Sequence, residues 1–212
     1  AMLRSLVGSE MCIRDRSRST PSDSNVIDYV EIATTGNALD FGDAVVTARS
    51  NSGASSLTRG FEFGGNLTIA TVQRITIAAK GNSIEFGDLT RGRRNTAAFA
   101  NTVRAVVAAG SPDYALTIDY MTSASGGKMI DFGNLLTSIQ ATDGCSDLTR
   151  GVFGGGEDSP TSINTIQFFT IPTQSNATDF GDLTVTRRNL ASGSSPTRGL
   201  FLGGDFQAST YY

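Results

Sequence analysis

The tetrapeptide Asp40-Phe41-Gly42-Asp43 indicates how the chain is organised, because close copies of it return at regular intervals. The copies read Glu85-Phe86-Gly87-Asp88, Asp131-Phe132-Gly133-Asn134 and Asp179-Phe180-Gly181-Asp182. The phenylalanines of successive copies are 45, 46 and 48 residues apart. A series of arginines keeps the same three intervals: Arg59, Arg104, Arg150 and Arg198. Two independent markers that share one drifting period indicate an internal repeat.

A short segment rich in β-branched and aromatic residues begins 14 residues before each of these phenylalanines. The four segments are 27–32, 72–77, 118–123 and 166–171. Such a composition is typical of a strand that is half buried in a sheet. Glycine or asparagine follows each segment, and both residues tolerate the positive φ of a hairpin turn. The sequence therefore predicts a hairpin in each repeat, with the Phe-Gly segment as the returning strand.

Two further strands are predicted in each repeat. A polar stretch, such as 49–55 or 188–193, leads into an apolar stretch that ends in small residues, such as 60–65 or 199–204. No segment shows sustained helical periodicity with capping residues. The repeat is therefore four short strands in about 46 residues, which is the size of one blade of a β-propeller. The predicted units are 27–65, 66–110, 111–156 and 157–204.

These residues resemble kelch-type β-propeller repeats, in which a basic residue precedes an apolar strand that ends in a glycine doublet. Arg188, the apolar strand at 200–202 and the doublet Gly203-Gly204 match that half of the pattern. The aromatic position of the next strand is matched by Tyr29 and Tyr120. The resemblance covers residues 27–204. It implies an all-β fold, a β-propeller of four kelch-like four-stranded blades.

The chain departs from the kelch pattern at three points. Arg74 occupies the aromatic position of the second repeat, and Ala109-Gly110 replaces one glycine doublet. Phenylalanine stands where kelch repeats carry a closing tryptophan. The sequence of the repeat, as in residues 177–184, also resembles repeats of virion or tail-associated proteins of marine phages. That second resemblance implies a phage structural or host-recognition component, located in the virion or outside the cell.

Two arrangements of the four units remain open at this point. In one, the strands within 27–43 complete the blade whose other half lies within 188–204, so that a four-bladed ring closes. In the other, the units form an open arc from a larger propeller, and residues 205–212 lead into a fifth unit. An open arc leaves two unprotected blade faces and is expected to aggregate.

The N-terminal segment has a different character. Residues 5–16 resemble, in one reading frame, a translated adapter of the kind used to build sequencing libraries. Residues 1–22 are therefore predicted to be a disordered adapter-derived and linker segment, and residues 23–212 to form the repeat domain. The reading frame is then expected to begin inside a longer gene. No secretory signal peptide is visible in the sequence.

The composition excludes several classes of function. The chain has 212 residues, no His, no Trp, two Cys and a formal net charge of -3. Without His, catalytic triads that contain His and His-ligated metal sites are ruled out. The mildly acidic charge gives no reason to expect nucleic-acid binding, and no apolar run is long enough to span a bilayer. We therefore expect no cofactor, no nucleic-acid partner and no membrane insertion.

Two features remain as candidate sites. The arginines Arg59, Arg104, Arg150 and Arg198 are candidates for binding, because a ring of guanidinium groups at a propeller mouth suits a phosphate, sulfate or acidic glycan. The competing interpretation is that each arginine pairs with an Asp and fixes the stacking of blades, since architecture repeats while a site is usually asymmetric. A second arginine series is Arg49, Arg94 and Arg188, with Gln140 in the third repeat.

The column Asp43, Asp88, Asn134 and Asp182 suggests calcium, but a calcium loop needs several oxygen ligands close in sequence, and no such run is present. Turn carboxylates that accept backbone N–H groups are the preferred interpretation. Cys145 lacks an activating His and is interpreted as a small buried hydrophobic residue. The glycine runs lack the helix and Lys-Ser/Thr of a phosphate-binding loop. No catalytic or metal site is therefore predicted.

The sequence favours a non-enzymatic repeat scaffold that binds a protein or glycan surface through its loops, within a larger assembly. The alternative is a propeller-based glycan-processing enzyme, which would need a pair of inward carboxylates from the repeated Asp residues. Neither the ligand nor the total number of blades follows from the sequence.

Overall fold

The structure is a computed structural model that describes residues 24–66, 69–112 and 115–206. The predicted disordered segment 1–22 lies outside the described residues. The described part of the chain is all-β and contains no helix, so it offers no helix that is long and apolar enough to cross a membrane.

The strands follow one another in the following order. They are β1 Val26–Tyr29, β2 Leu39–Asp43, β3 Ser52–Ser55, β4 Arg59–Phe63, β5 Thr71–Thr76, β6 Ile84–Asp88, β7 Ala97–Ala100, β8 Arg104–Ala108, β9 Thr117–Thr122, β10 Gly127–Lys128, β11 Ile130–Asn134, β12 Asp143–Ser146, β13 Arg150–Gly154, β14 Glu157–Asp158, β15 Thr161–Ser162, β16 Thr165–Thr170, β17 Thr178–Asp182, β18 Ala191–Ser194 and β19 Gly199–Leu202.

The longer strands form five consecutive sheets, which we number I to V. Sheet I is the hairpin β1–β2, and sheet V is the hairpin β18–β19. Between them lie three sheets with four antiparallel strands each: sheet II with β3 to β6, sheet III with β7, β8, β9 and β11, and sheet IV with β12, β13, β16 and β17. The short strand β10 adds to sheet II in parallel with β6, and β14–β15 is a separate hairpin.

The predicted hairpins are confirmed in all four repeats, since β1 pairs with β2, β5 with β6, β9 with β11, and β16 with β17. The sheets, however, do not coincide with the repeat units. Sheet II takes β3 and β4 from the unit 27–65 and β5 and β6 from the unit 66–110. Sheets III and IV are divided in the same way. Each complete sheet is therefore shared between two consecutive repeats, and half a sheet is left at either end.

Glycine doublets follow the second strand of sheets II, IV and V, as at Gly155 and Gly156, whose φ values are 64° and 109°. L-residues with a side chain rarely adopt such angles. Gly155 lies in the repeat 111–156 and Arg187 in the next repeat. A Cβ added at Gly155 would lie only 2.4 Å from the carbonyl oxygen of Arg187. The doublet therefore allows one repeat to bring its backbone against the next one.

Apolar layers fill the spaces between consecutive sheets. Between sheets III and IV, Phe99, Phe153 and Phe169 are almost fully buried, with the rings of Phe99 and Phe169 5.1 Å apart in an edge-to-face arrangement. A second cluster, which includes Phe63 and Val107, lies between sheets II and III. Burial of such side chains is the main favourable contribution to folding.

The first strands of successive sheets are neighbours: β3 contacts β7, β7 contacts β12, and β12 contacts β18. A chain of backbone hydrogen bonds runs beside them from repeat to repeat. The N–H of Asn95 donates to Ser50, that of Ala141 to Asn95, and that of Asn189 to Ala141, at 2.8–3.0 Å. All four residues have φ between 54° and 57°. The repeats are thus joined by the same contact three times.

The two half-sheets at the ends do not join each other. Within the described residues, β1 pairs only with β2 and β19 pairs only with β18. The described strands form no closed barrel or ring.

Candidate functional site

The four arginines singled out by their spacing occupy equivalent places in sheets II to V. Arg59, Arg104 and Arg150 begin the second strand of their sheets and Arg198 directly precedes it, in each case after a tight turn. The turn is stabilised by the residue three positions earlier, whose side-chain oxygen accepts the arginine N–H. These turn residues are Ser56, Asn101, Asp147 and Ser195, with N···O distances of 3.3, 2.7, 2.6 and 3.2 Å. Short polar side chains commonly stabilise turns in this way.

Two of the arginines connect neighbouring sheets. The guanidinium of Arg59 in sheet II donates to the carbonyls of Ser123 and Ala124 in the loop after β9, at 2.9 Å for Ala124. The guanidinium of Arg104 in sheet III donates to the carbonyl of Ile171, at 2.8 Å. The arginines were expected to pair with Asp in an architectural role. The acceptors of Arg59 and Arg104 are instead backbone carbonyls.

Aromatic rings lie beneath the guanidinium groups. The ring pairs Tyr120–Phe132 and Phe168–Phe180 are edge-to-face, with centroids 5.5 and 5.8 Å apart. The guanidinium of Arg104 lies 4.7 Å from the centroid of Tyr120, and that of Arg150 lies 5.1 Å from the centroid of Phe168. A cation over the face of a ring is attracted by its quadrupole. Arginine and the two aromatic positions of the repeat therefore form one structural unit.

The departure of Arg74 from the aromatic pattern has a clear structural outcome. The guanidinium of Arg74 lies 5.1 Å from the centroid of Phe86, and that of Arg59 lies 5.8 Å from the same ring. Sheet II thus carries two guanidinium groups over one ring, whereas sheets III and IV each carry one guanidinium beside an edge-to-face pair of rings. The cation–π contact substitutes for an edge-to-face ring pair.

We call the set Arg59, Arg104, Arg150 and Arg198, with the rings beneath the first three, the arginine–aromatic row. Arg59 and Arg104 are half-buried, whereas Arg150 and Arg198 are exposed. An exposed guanidinium above a ring offers donors for carboxylate, sulfate or hydroxyl groups beside an apolar surface. The row can therefore hold a polar ligand at its Arg150 end.

The second arginine series lies at the opposite ends of the first strands. There Arg188 forms ion pairs with Glu157 and Asp205, with N···O distances of 2.5 and 3.2 Å. Burial opposes the charge of Arg188, but the hydrogen bonds to the two carboxylates outweigh it and raise its pKa. The pKa of Asp205 is lowered, chiefly by the hydrogen bond from Asn189 and further by Arg188. Arg188, the member of this series in the fourth repeat, is therefore engaged in local ion pairs.

The acidic column after Phe-Gly does not form a metal site in the described part of the chain, where no group of three or more potential ligands comes together. The expected turn role falls to a different residue, the Asp before Phe. Asp131 accepts the N–H of Gly133 at 3.1 Å, and Asp179 accepts that of Gly181 at 3.2 Å. The side chains of Asp43, Asp88, Asn134 and Asp182 are exposed. Their backbone connects neighbouring sheets, as in the hydrogen bond from Ser83 N–H to the carbonyl of Asp43.

A buried polar column was missed in the sequence. Gln73, Asp119 and Gln167 occupy the same position in sheets II, III and IV and are at most 2 % exposed. The amide of Gln73 exchanges two hydrogen bonds with the backbone of Val46, at 3.0 and 3.1 Å. The oxygen of Gln167 accepts from the N–H of Leu136 at 2.8 Å. The sequence signal for this column is that the three residues share one position of the repeat. It is hard to recognise because that position holds an amide in two repeats and a carboxylate in the other.

Asp119 uses its carboxylate differently. It accepts from the hydroxyl of Thr90 and forms a buried ion pair with Arg93. Arg93 also donates to the carbonyls of Ala109 and Thr117, at 3.2 Å each. Burial lowers the pKa of Arg93, and the charge of Asp119 opposes that shift. The pair connects β9, the third strand of sheet III, to the loop before β7, and it is structural.

Cys145 is buried, as expected from the sequence. Burial, followed by the nearby charge of Asp143, raises the pKa of its thiol to about 11. A thiol with such a pKa carries almost no thiolate at neutral pH and is a poor nucleophile.

A comparison of the chain with models of known protein families and with curated proteins finds no match.

Proposed function

We propose that this protein is a kelch-like β-propeller scaffold that binds a protein or glycan surface through its loops and performs no catalysis. In this proposal sheets II, III and IV are complete blades, and sheets I and V are two half-blades. The contacts between successive first strands and the repeated hydrogen bond at Ser50, Asn95 and Ala141 support a radial arrangement. The kelch-like sequence pattern supports the same assignment.

The observation that carries the binding function is the difference along the arginine–aromatic row. The guanidinium groups of Arg59 and Arg104 donate hydrogen bonds to backbone carbonyls of the next sheet, whereas that of Arg150 lies exposed over Phe168. Repetition alone favours an architectural role for these arginines. Arg150, however, is exposed where its counterparts Arg59 and Arg104 are half-buried. The exposed end has the chemistry to contact a carboxylate or sulfate together with the face of a sugar or an aromatic side chain.

As a biological setting we propose a virion surface of a phage, where such a scaffold would contact a host receptor or another structural protein. This part of the proposal follows the resemblance of the repeats to phage virion and tail-associated proteins. A rigid stack of sheets with many similar loops suits a surface that presents one contact repeatedly.

Binding is tested with the full chain on an array of neutral, sulfated and carboxylated glycans and against extracted host-envelope proteins. We expect retention of an anionic glycan or a protein, with binding weakened at least about tenfold by Arg150→Ala. The matched control is Arg49→Ala, which removes a guanidinium from the other end of the first strand of sheet II. Failure of every array, or an equal loss in both variants, would overturn the role of the row.

The absence of catalysis is tested separately. Asp43, Asp88 and Asp182 are each changed to Ala, and the variants are incubated with the bound glycan while its cleavage is followed. We expect no turnover by the parent chain. Turnover that is lost in these variants while folding is retained would establish a glycan-processing enzyme instead.

A further inference from the structure

The second and third strands of every complete sheet pair in one fixed register. The arginine of the second strand is always opposite a threonine: Arg59 with Thr76, Arg104 with Thr122, and Arg150 with Thr170. The apolar residue two positions later is opposite the aromatic position, as in the pairs Val106–Tyr120 and Val152–Phe168. This register is therefore a property of the repeat.

The same two strands are present at the ends of the molecule, but apart. β19 is the second strand of a sheet, and β1 is the third strand of a sheet. Within the described residues, each is hydrogen-bonded on one side only. The repeat register would place Leu200 opposite Tyr29 and Arg198 opposite Glu31. An edge strand with a free row of backbone groups is a template for pairing with another chain.

Each end of the molecule also leaves a face of its sheet incompletely covered. Leu200 and Leu202 are both 57 % exposed on β19, on the face that Val106 and Ala108 bury in sheet III. The opposing face of sheet II carries a small cleft lined by Gly53, Gly60 and Ile75. In the described part of the chain, sheet I has no first or second strand to lie over this face.

The ends are complementary in charge. In the three complete sheets the residue opposite the arginine is an uncharged threonine, whereas at the end of the molecule it is Glu31. Glu31 and Arg198 are both exposed. Opposite charges on directly opposed residues of an antiparallel pair stabilise that pair. Among the four repeats, this position holds Glu in place of Thr only in the first, and there the repeat register places it opposite the exposed Arg198.

We propose that β19 of one chain pairs with β1 of a second copy of this chain, so that sheets V and I combine into a complete four-stranded sheet. The chain's own β18–β19 hairpin remains separate from β1–β2, although it is tethered to it. A second copy presents the same complementary surfaces. Two chains that exchange both ends would form eight complete sheets, within the range of about four to eight blades known for propellers.

The first test measures the mass of the full chain by sedimentation over a hundredfold range of concentration. We expect a concentration-dependent shift from the 22.2 kDa monomer to a species of two chains. A monomer at all concentrations would overturn the proposal. Larger species would keep the pairing of β19 with β1 but would overturn the two-chain ring.

The second test is a charge reversal at the proposed pair. Glu31→Arg or Arg198→Glu alone places like charges opposite each other, and we expect the dissociation constant to rise at least about tenfold. The chain with both changes restores opposite charges and should regain association. If the double variant associates no better than the single variants, the register is wrong. Because neither Arg150 nor a ligand is involved, this test is independent of the binding test above.

The third test identifies the strands directly. Tyr29→Cys in one chain and Leu200→Cys in a differently tagged chain should form a disulfide between the two chains, because directly opposed residues have Cα atoms within bonding range. The parent chain, with Cys12 and Cys145, gives the baseline. Leu136→Cys, exposed elsewhere on the surface, replaces Leu200→Cys as the control. Equal cross-linking in the control, or none in the designed pair, would overturn the assignment.

Discussion

The middle and the ends of this molecule carry the same repeat in different surroundings. Phe153 in sheet IV and Val107 in sheet III are fully buried against the preceding sheet. Glu62 occupies the same position in sheet II, where only the half-sheet I precedes it, and its carboxylate is hydrogen-bonded to Asn51. The repeat fixes the backbone at all three positions. The neighbouring sheet decides which side-chain chemistry the position accepts.

The largest effect is expected at the buried polar column. Asp119→Ala removes one partner of a buried ion pair and leaves Arg93 charged and unpaired, which should cost about 3–5 kcal/mol in the free energy of unfolding. Asp28→Ala changes the equivalent residue of sheet I, which is exposed, and should cost less than about 0.5 kcal/mol. Urea unfolding of both variants measures the difference. Similar losses would contradict the contrast between middle and end.

A smaller contrast is expected between two glycines of the Phe-Gly motif. An added Cβ at Gly133 would lie 2.3 Å from the carbonyl oxygen of Ser175 in the next sheet, whereas at Gly181 no described atom lies within 4 Å. Both glycines have positive φ, so both alanine variants bear backbone strain of about 1–2 kcal/mol.

Gly133→Ala adds a steric conflict of about 1–3 kcal/mol to that strain, because the backbone of sheet IV must move. Thermal unfolding at a concentration where the chain is monomeric should therefore show a clearly lower Tm for Gly133→Ala than for Gly181→Ala. An equal decrease would mean that the close approach between sheets III and IV contributes nothing to stability.

The smallest effect is expected at Glu62 and depends on pH. Burial raises the pKa of Glu62 above its ordinary value of 4.5, and the hydrogen bond from Asn51 only partly offsets it. A carboxyl whose pKa is raised by folding favours the folded state when protonated. This contribution is complete below pH 4.5 and is lost as the pH rises through the raised pKa.

Glu62→Gln should therefore stabilise the chain at pH 7 by up to about 1 kcal/mol, with an advantage that shrinks toward pH 4. Unfolding free energies across this range measure the effect. Glu85→Gln, which changes an exposed carboxylate of the same sheet II, is the matched control and should change the stability at pH 7 by less than about 0.5 kcal/mol. An advantage that grows as the pH falls would contradict the assigned direction of the shift.

The periodic part of the fold was open to prediction from the sequence. The markers around Phe41 and Arg59 predicted the period, the hairpins and the positions of the strands, because turns and strand ends depend on local residues such as glycine. Which strands share a sheet depends on pairing across the unit boundary. That pairing was recognised only for the two ends, 27–43 and 188–204, as one of two arrangements left open.

The candidate site was predictable only in part. The spacing found Arg59, Arg104, Arg150 and Arg198. The acceptors of Arg59 and Arg104 are backbone carbonyls, which leave no mark on the sequence. The column of Gln73 and Asp119 was overlooked because the two residues differ in chemical type and partners. Gln73 bonds the backbone of Val46, whereas Asp119 accepts from the side chains of Thr90 and Arg93, although both occupy the same backbone position of the repeat. Tertiary partners, more than residue types, set the role of each position.

The division of every complete sheet between two repeats has a consequence for the history of the gene. If a whole repeat of 45 to 48 residues is duplicated or deleted, the new junction has the same two halves as every other junction. The number of sheets then changes by one while no strand loses its partner and the two half-sheets at the ends stay as they were. Unequal recombination can therefore lengthen or shorten this protein without passing through a misfolded intermediate.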